Sequence, residues 1–516
     1  MGRSLSSLLL VTCWQLGLGG ACVAGDAREA LVIAMPEIRT ELDPVHPRAI
    51  ALPSYRILES VYDKLFVIDY ARGGRLAPAL ALAIDQVDAL TYDVALRPGV
   101  TFHDGTELTA ADVAFTFGPQ RMLRRDAPGH GVGRLALPTL AAVEAVGPYK
   151  VRFRTKAPDP VFAMRLASYG TGVVSARAFQ AAPDFETWSR RPVATGPFKV
   201  ARTRENGFIR LVAHDGYWQG RPPFRSLTFR AVSQLSARLA GLRAGDYDIV
   251  TTVTPDQLGA IARDARLSVV GGDTVHFRTL VYNTAGRPPM ADARLRRALN
   301  LAIDRRLIVD TLWHGRIAVP PGFQNASFGQ LIDPRRGPPA YDPAEARRLV
   351  AASSYRGEAL VFRTVGNYYT AELATAQVLV EMWKAVGITV TLEVRENWAQ
   401  VLDGGADIIN SSAGSYYPDP LGSFWARWGP AGAWQRRGYW HNARFNALGE
   451  VLSTSLDATR RREAYHAMLR LWGETDPPGT VLHSLGAFFG TRADLDWRPT
   501  PTSLMDFRPQ DGSNAS

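Results

Sequence analysis

The sequence of 516 residues has only two cysteines, Cys13 and Cys22, and both lie within its first two dozen residues. If this segment is removed on export, the rest of the chain contains no thiol. Disulfide bonds, thiolate catalysis and cysteine-ligated metals are then excluded from the working protein.

The first 24 residues have the order of a secretory signal peptide. One early charge, Arg3, precedes an apolar run over residues 8–18 and small residues up to Ala24. A membrane-spanning helix needs about 20 apolar residues, and this run is shorter. We therefore expect export, with cleavage within 24–27. Lipid attachment at Cys22 is the less favoured alternative, because the residues before it lack the leucine of a usual lipobox.

Lysine is nearly absent, since only five of the 59 basic residues are lysines. The arginines are spread along the chain and form no basic block, although the formal net charge is +10. This distribution indicates a solvated basic surface and argues against nucleic-acid binding.

Motifs for several chemistries are also missing. The chain has no Gly-x-x-x-x-Gly-Lys phosphate loop, no His-Glu-x-x-His zinc helix and no Gly-x-Ser-x-Gly elbow. We therefore predict no cofactor and no metal. The sequence does not show which acidic residues come together in space, so a catalytic pair of carboxylates cannot be excluded. A secreted hydrolase, either a glycosidase or a peptidase that uses cleft carboxylates, therefore stays open as an alternative.

Helices that alternate with short apolar strands dominate the second half of the chain. A helix over 234–244 ends at Gly245 and precedes a strand over 247–253, and a helix over 371–386 ends at Gly387 and precedes an alternating strand. One long amphipathic helix is predicted over about 292–313. The pattern predicts the α/β class, with mixed, largely parallel sheets covered by helices.

Ligands in open α/β sheets bind beyond the carboxyl ends of the strands. We expect the segments that follow the predicted strands to converge on one cleft: 36–40, 254–256, 366–370, 396–398 and 411–420. Eight aromatic residues also stand between 416 and 440. Tyr416 and Tyr417 follow a strand directly, so we predict that both face a ligand, because a flat ring with a polar tip suits stacking.

One run of residues carries a family resemblance. Residues 102–115, FHDGTELTAADVAF, resemble the F-x-D-G-x-x-L-x-A-x-D-V-x-F signature of the family 5 (peptide/nickel type) extracellular solute-binding proteins of ABC importers. Further matching segments follow in the expected order over nearly the whole chain: 195–199, 217–222, 238–249, 294–304, 342–346 and 419–420.

The resemblance implies a fold of the periplasmic-binding-protein type II kind, with two lobes joined by a two-strand hinge and a family-specific inserted subdomain. The hinge strands are expected near 274–281 and 481–488. The implied division is a signal peptide, 1–24; a discontinuous lobe I, 25–61 with 190–275 and 484–516; an inserted subdomain, 62–189; and lobe II, 276–483.

The implied function is capture of a small solute in the periplasm and its delivery to a membrane permease by a monomeric protein that makes and breaks no bond. The solute is an oligopeptide, a modified peptide, a sugar or an opine-like conjugate. Peptide-binding relatives hold the α-amine with Asp-x-x-[Asp/Glu]-Pro, whereas this chain has Tyr416 three residues before Asp419-Pro420. The departure favours a neutral or anionic solute. The predicted ligand-binding residues are Glu37, Asn367, Tyr368, Trp398, Ser412, Gly414, Tyr416, Tyr417, Asp419 and Trp434.

Overall fold

The computed structural model describes residues 29–49, 52–366 and 368–509. The predicted signal peptide, both cysteines and Asn367 lie outside these described residues. Within them, no helix is long and apolar enough to cross a membrane. The same residues also contain no group of three or more histidine, cysteine or acidic side chains that could hold a metal ion.

The described residues form three β-sheets. The strands are β1 Ala30–Met35, β2 Phe66–Asp69, β3 Arg75–Pro78, β4 Ala81–Asp88, β5 Thr91–Leu96, β6 Leu140–Gly147, β7 Lys150–Thr155, β8 Phe198–Arg204, β9 Phe208–Ala213, β10 Ser226–Ala231, β11 Ile249–Val250, β12 Leu267–Tyr282, β13 Leu360–Val365, β14 Val390–Arg395, β15 Ile408–Ala413 and β16 Gly479–Arg492. The large sheet has the order β14-β13-β15-β12-β16-β11-β1-β10-β9-β8, and the smaller sheets have the orders β4-β5-β7-β6 and β2-β3.

Helices cover these sheets. The α-helices are Leu52–Val61, Ala110–Phe117, His130–Ala136, Phe162–Arg165, Ala176–Ala181, Phe185–Arg190, Leu235–Ala244, Pro255–Ala262, Pro288–Ala291, Ala293–Leu301, Arg305–Leu312, Pro343–Ala352, Glu372–Lys384, Trp398–Val401, Phe424–Trp428, Ala433–Arg436, Ala443–Thr454 and Ala458–Arg470. Short 3-10 or π turns lie at Pro47–Ala49, Pro119–Leu123, Ala326–Leu331, Pro420–Gly422 and Leu471–Thr475.

Local chemistry sets several of the helix ends. Thr109 and Asp112 form a capping box at the start of the Ala110–Phe117 helix. Gly245 ends the Leu235–Ala244 helix in the left-handed conformation, as the sequence predicts. The prediction of one long helix over 292–313 is wrong, because Asp304 caps a second helix by accepting a hydrogen bond from the Leu307 amide at 2.9 Å.

Two long antiparallel strands, β12 and β16, lie side by side within the large sheet. On one side of this pair, β1 runs parallel to both β10 and β11, and on the other side β13 runs parallel to both β14 and β15. We call β8–β11 with β1 the first half of the sheet, and β13–β15 the second half. The mixed α/β class is thus confirmed, as is the two-strand connection that the family resemblance implies. The prediction of largely parallel sheets is wrong, because among the described strands only the pairs made by β1 and by β13 with their neighbours are parallel.

His483, on β16, makes the stability of the folded chain depend on pH. The side chain is buried, and its Nδ1 donates to the Ser484 carbonyl oxygen at 2.8 Å, while its Nε2 has no partner. Burial lowers the pKa of His483 to about 4. The unfolded chain binds this proton near pH 6.5 and the folded chain only near pH 4, so acid favours unfolding across that window.

We expect the low pKa of His483 to decrease the free energy of unfolding by about 2 kcal/mol when the pH falls from 7 to 5. Urea unfolding of the wild type and of His483→Gln at both pH values measures this contribution. The variant should lose about 2 kcal/mol less than the wild type on acidification. Equal losses in the two proteins would contradict the assignment.

Candidate functional site

Two exposed tyrosines follow strands of the second half of the large sheet, Tyr368 after β13 and Tyr416 after β15. Burial raises the pKa of Tyr55, and the nearby Tyr416 and Tyr368 raise it further. Burial also raises the pKa of Tyr368, and the charge of Glu37 adds to that rise. Glu37 follows β1, Tyr368 follows β13 and Tyr416 follows β15. The loop after β13 meets the loop after β14 and the end of β15, because Tyr368 contacts Trp398 and the Tyr369 hydroxyl bonds Ser412. Convergence with the loop after β1 stays a prediction.

Tyr55 belongs to the helix Leu52–Val61 and packs against Tyr169, their ring centroids 3.5 Å apart. The Tyr169 hydroxyl donates to the Ala49 carbonyl oxygen at 2.9 Å, which fixes the second ring. We call Tyr55, Tyr169, Tyr368, Tyr369 and Tyr416 the tyrosine cluster. The space among them is the candidate cleft.

A second aromatic contact supports the loop after β13. The Tyr368 ring meets Tyr369 and Trp398 edge to face, with centroid distances of 4.7 and 5.7 Å. Tyr368 itself stays 60% exposed. A half-exposed aromatic ring that neighbouring rings hold in place is suited to stack on a ligand.

Buried Glu372 holds this loop in place. Its carboxylate accepts from the backbone amides of Tyr368 at 2.9 Å and of Tyr369 at 3.0 Å. Arg278, from β12, stands over the Tyr369 ring at 4.0 Å and lies 3.4 Å from Glu372. Ser412, a predicted ligand residue, exchanges a 2.6 Å hydrogen bond with the Tyr369 hydroxyl. The loop therefore rests on a polar floor formed by β12 and β15.

His276 fixes the loop that carries Tyr416. The His276 Nδ1 accepts from the Ser415 amide at 3.0 Å, so the neutral ring carries its proton on Nε2, which faces the Thr502 carbonyl oxygen at 3.4 Å. Burial lowers the pKa of His276 to about 4. A Cβ at Gly414 would stand 4.0 Å from this ring. The segment 414–416 is thereby joined to the C-terminal part of the chain.

Three of the predicted ligand residues are instead part of the interior. Tyr417 is 2% exposed, and its hydroxyl accepts from the Arg165 guanidinium at 2.7 Å. Asp419 is equally buried and pairs with Arg461 at 2.8 Å. Trp434 packs on Tyr439 with a centroid distance of 5.7 Å. These positions correct the prediction, because each side chain already has its partner inside the protein.

The remaining predicted residues lie toward the candidate cleft or beside it. Glu37 is exposed and lies 3.4 Å from Arg39, while Trp398, Ser412 and Gly414 support the tyrosine loops. Tyr416 is 36% exposed. Asn367 cannot be placed, because it lies outside the described residues.

Sequence reasoning missed Tyr55, Tyr169 and Arg427. The two tyrosines stand alone in the sequence and carry no local signal. Arg427 does have one, because it is the only basic residue between Tyr416 and Trp434. Burial raises the pKa of Tyr368 and of Tyr369, and the charge of Arg427 opposes that rise in both. Arg427 therefore lies near the tyrosine cluster.

A separate surface cavity of about 490 Å³ lies against Phe115, Phe179 and Trp188. All of the residues that line it fall between 115 and 188, so it does not involve the two halves of the large sheet. We therefore place the candidate site at the tyrosine cluster, beyond the carboxyl ends of β13 and β15.

Curated relatives bind several unlike solutes. The chain is 29% identical over 320 residues to heme-binding protein A of Haemophilus influenzae, covering 58% of this chain and 57% of that protein. It is 29% identical over 353 residues to the glutathione-binding protein GsiB of Salmonella paratyphi A, covering 66% of this chain and 65% of that protein. The chain thus spans less than two thirds of the length of these two relatives.

Solved structures share the fold. The ABC transporter substrate-binding protein CtaP from Listeria monocytogenes superposes with a TM-score of 0.81 at 22% identity, covering 93% of this chain and 98% of that one. The family described as bacterial extracellular solute-binding proteins, family 5 Middle, matches residues 75–435. This match covers well over half of the sequence. The chain therefore belongs to the family 5 bacterial extracellular solute-binding proteins.

Proposed function

We propose that this protein is the periplasmic solute-binding component of an ABC importer, which captures a small solute in the candidate cleft and delivers it to a membrane permease. The observation that carries the proposal is the pair of exposed tyrosine rings, Tyr368 and Tyr416, that follow β13 and β15 beyond the carboxyl ends of these strands. The protein acts as a monomer. The hydrolase alternative is not kept, because the family consists of solute-binding proteins.

The proposed division has lobe I at 25–61, 190–275 and 484–516, an inserted subdomain at 62–189 and lobe II at 276–483. Tyr55 then belongs to lobe I, Tyr169 to the inserted subdomain, and Tyr368 with Tyr416 to lobe II. A solute seated among them contacts all three parts at once. Such contacts favour the closed population over the open one, and the affinity depends on that difference.

The chemistry of the cleft favours a neutral or anionic solute with a flat face. Exposed tyrosine rings offer stacking surface and hydroxyl groups. Asp419, which could have replaced the amine-binding aspartate of peptide binders, is occupied by Arg461. Sugars, opine-like conjugates and modified peptides fit this surface better than an ordinary dipeptide with a free ammonium group.

Native mass spectrometry of the freshly purified protein tests the proposal. We expect a small molecule to co-purify at one copy per chain, and its release to change the tryptophan fluorescence. Steady hydrolysis of model glycosides or peptides by the purified protein would overturn the proposal. So would the absence of any bound molecule together with no response to a broad set of nutrients.

We expect Tyr416→Ala to weaken binding of the co-purified solute about 5- to 30-fold, because the variant removes one stacking face. The melting temperature should stay within a few degrees, since Tyr416 is partly exposed. Titration followed by tryptophan fluorescence measures the affinity. Tyr341→Ala is the matched control, because Tyr341 is 53% exposed and outside the tyrosine cluster. Unchanged affinity in Tyr416→Ala would remove Tyr416 from the site.

A further inference from the structure

Positive charge is concentrated in one part of the first half of the sheet. Residues 199–230, which include most of β8 and all of β9 and β10, contain seven basic and two acidic side chains. This short segment therefore supplies half of the formal net charge of +10. No two of the seven basic residues are adjacent, so they form no basic block in the sequence. Only the fold decides whether they share a surface.

The strand pairing brings four of these arginines to one face. Arg202 of β8 lies directly opposite Arg210 of β9. Phe208 of β9 lies between Arg204 of β8 and Arg230 of β10. Residues two apart on a strand share a face, so these five positions lie on the same side of the sheet. In agreement, the Arg202 guanidinium lies 5.7 Å from the centre of the Phe208 ring.

The other side of the same strands is buried. Ile209 and Leu211 of β9 and Phe229 of β10 belong to one hydrophobic core. The four arginines, in contrast, are exposed. Among the described residues, none of their side chains forms an ion pair or a hydrogen bond with the protein. We call this surface the arginine face: Arg202, Arg204, Arg210 and Arg230.

The arginine face has no counter-charge of its own. Arg202 and Arg210 stand directly opposite each other, and like charges at such a cross-strand position repel. Glu205, the acidic residue nearest to them in the sequence, lies in the exposed turn after β8 and pairs with none of the four arginines. The arrangement therefore lowers the stability of the isolated protein, and an anionic partner would remove that cost.

The shape of the arginine face suits a flat partner. The open side of three paired strands is a gently twisted surface rather than a cavity. Phe208 and Val212 are partly exposed on this side, so apolar atoms lie among the charges. A bilayer of anionic phospholipids presents phosphate groups over a flat area, and a guanidinium can engage a phosphate with two hydrogen bonds.

We propose that the arginine face binds the surface of a membrane that contains anionic phospholipids. This inference goes beyond the proposed function and does not depend on the identity of the solute. A solute-binding protein held at the membrane releases its solute close to the permease. Each arginine near such a surface should raise binding about fivefold. The attraction extends only about 8 Å at physiological salt, so arginines on other surfaces contribute little.

Co-sedimentation of the purified protein with lipid vesicles tests the proposal. Anionic vesicles of phosphatidylethanolamine and phosphatidylglycerol are compared with neutral vesicles of phosphatidylcholine. The test variant carries Arg202→Gln and Arg210→Gln. The matched control carries Arg316→Gln and Arg460→Gln, which remove the same charge from two exposed positions outside the arginine face.

We expect the wild type to bind the anionic vesicles and not the neutral ones. The test variant should bind about 25-fold more weakly, whereas the control should change by less than about threefold. Salt at about 1 M should release the wild type, because the screening length falls to about 3 Å. Without vesicles, the test variant should melt no lower than the wild type, since a repulsive pair is removed. Its weaker binding is then not a folding defect.

Three outcomes would overturn the proposal. Equal binding of the wild type to anionic and neutral vesicles would exclude recognition of anionic lipid. Equal weakening in the test variant and the control would show that only the overall charge matters. Binding to native membranes that protease digestion of those membranes abolishes would assign the arginine face to an acidic protein instead of lipid. Fluorescence titration with the co-purified solute measures solute capture separately, so none of these outcomes decides the proposed function.

Discussion

Replacing Asp43 with alanine should lower the free energy of unfolding by about 3–5 kcal/mol. Asp43 is fully buried and accepts from both terminal nitrogens of Arg121 at 2.9 and 3.0 Å. It also accepts from the Trp188 indole nitrogen at 2.6 Å and from the Val45 amide at 2.8 Å. The variant would leave the Arg121 charge buried with no counter-ion, which is far costlier than losing an exposed pair.

Urea unfolding with tryptophan fluorescence measures this change, and Asp126→Ala is its control. Asp126 also pairs with an arginine, Arg124 at 2.9 Å, but both side chains are more than half exposed. We expect the control to lose less than about 1 kcal/mol. Adding Arg121→Met to Asp43→Ala should restore part of the stability, because the unpaired charge is removed. A loss in Asp43→Ala no larger than in the control would contradict the account.

The Asp43 pair also bears on the binding site. Asp43 follows β1, whereas Arg121 and Trp188 belong to the proposed inserted subdomain, so these bonds attach that subdomain to lobe I. Tyr169 of the same subdomain reaches Ala49 and packs on Tyr55. Loosening the attachment would therefore disturb one wall of the tyrosine cluster as well as the stability of the chain.

The sequence predicts local features of this fold well. Helix ends such as Thr109 and Gly245 depend on residues within one turn, and the alternation of helices with apolar strands extends over ten residues or so. The prediction of one long helix over 292–313 is wrong for a local reason. The buried apolar positions continue across the break at Asp304 but change register, since Ile308 is buried while Leu307 is 51% exposed.

The candidate site is less predictable, because it depends on partners distant in sequence. Tyr416 and Tyr417 are chemically alike and adjacent, yet Tyr416 is 36% exposed and Tyr417 only 2%. The hydroxyl of Tyr417 faces inward and accepts a hydrogen bond from Arg165, which lies 252 positions away in the sequence. The proposed cleft role of Tyr55 likewise depends on Tyr368 and Tyr416, which lie more than 300 positions away in the sequence. No local pattern contains this information.

Asp419→Ala should lower the free energy of unfolding by about 3–5 kcal/mol, although the sequence pattern suggests a ligand residue at this position. Asp419 is 2% exposed, and both of its oxygens accept from the Arg461 Nη2, at 3.0 and 2.8 Å. The carboxylate also accepts from the Leu421 amide at 2.9 Å and so begins the turn Pro420–Gly422. Alanine would remove this cap and leave the Arg461 charge buried and unpaired.

Thermal and urea unfolding measure the loss, with Asp310→Ala as the control, because Asp310 pairs with Arg306 at an exposed helix surface. The control should lose less than about 1 kcal/mol. If Asp419→Ala keeps the stability of the wild type and loses only solute binding, Asp419 is a ligand residue and its pairing with Arg461 is unimportant. If it unfolds more easily, as we expect, the Asp419-Pro420 pair serves the scaffold. The cleft then has no carboxylate there for an ammonium group, which agrees with a neutral or anionic solute.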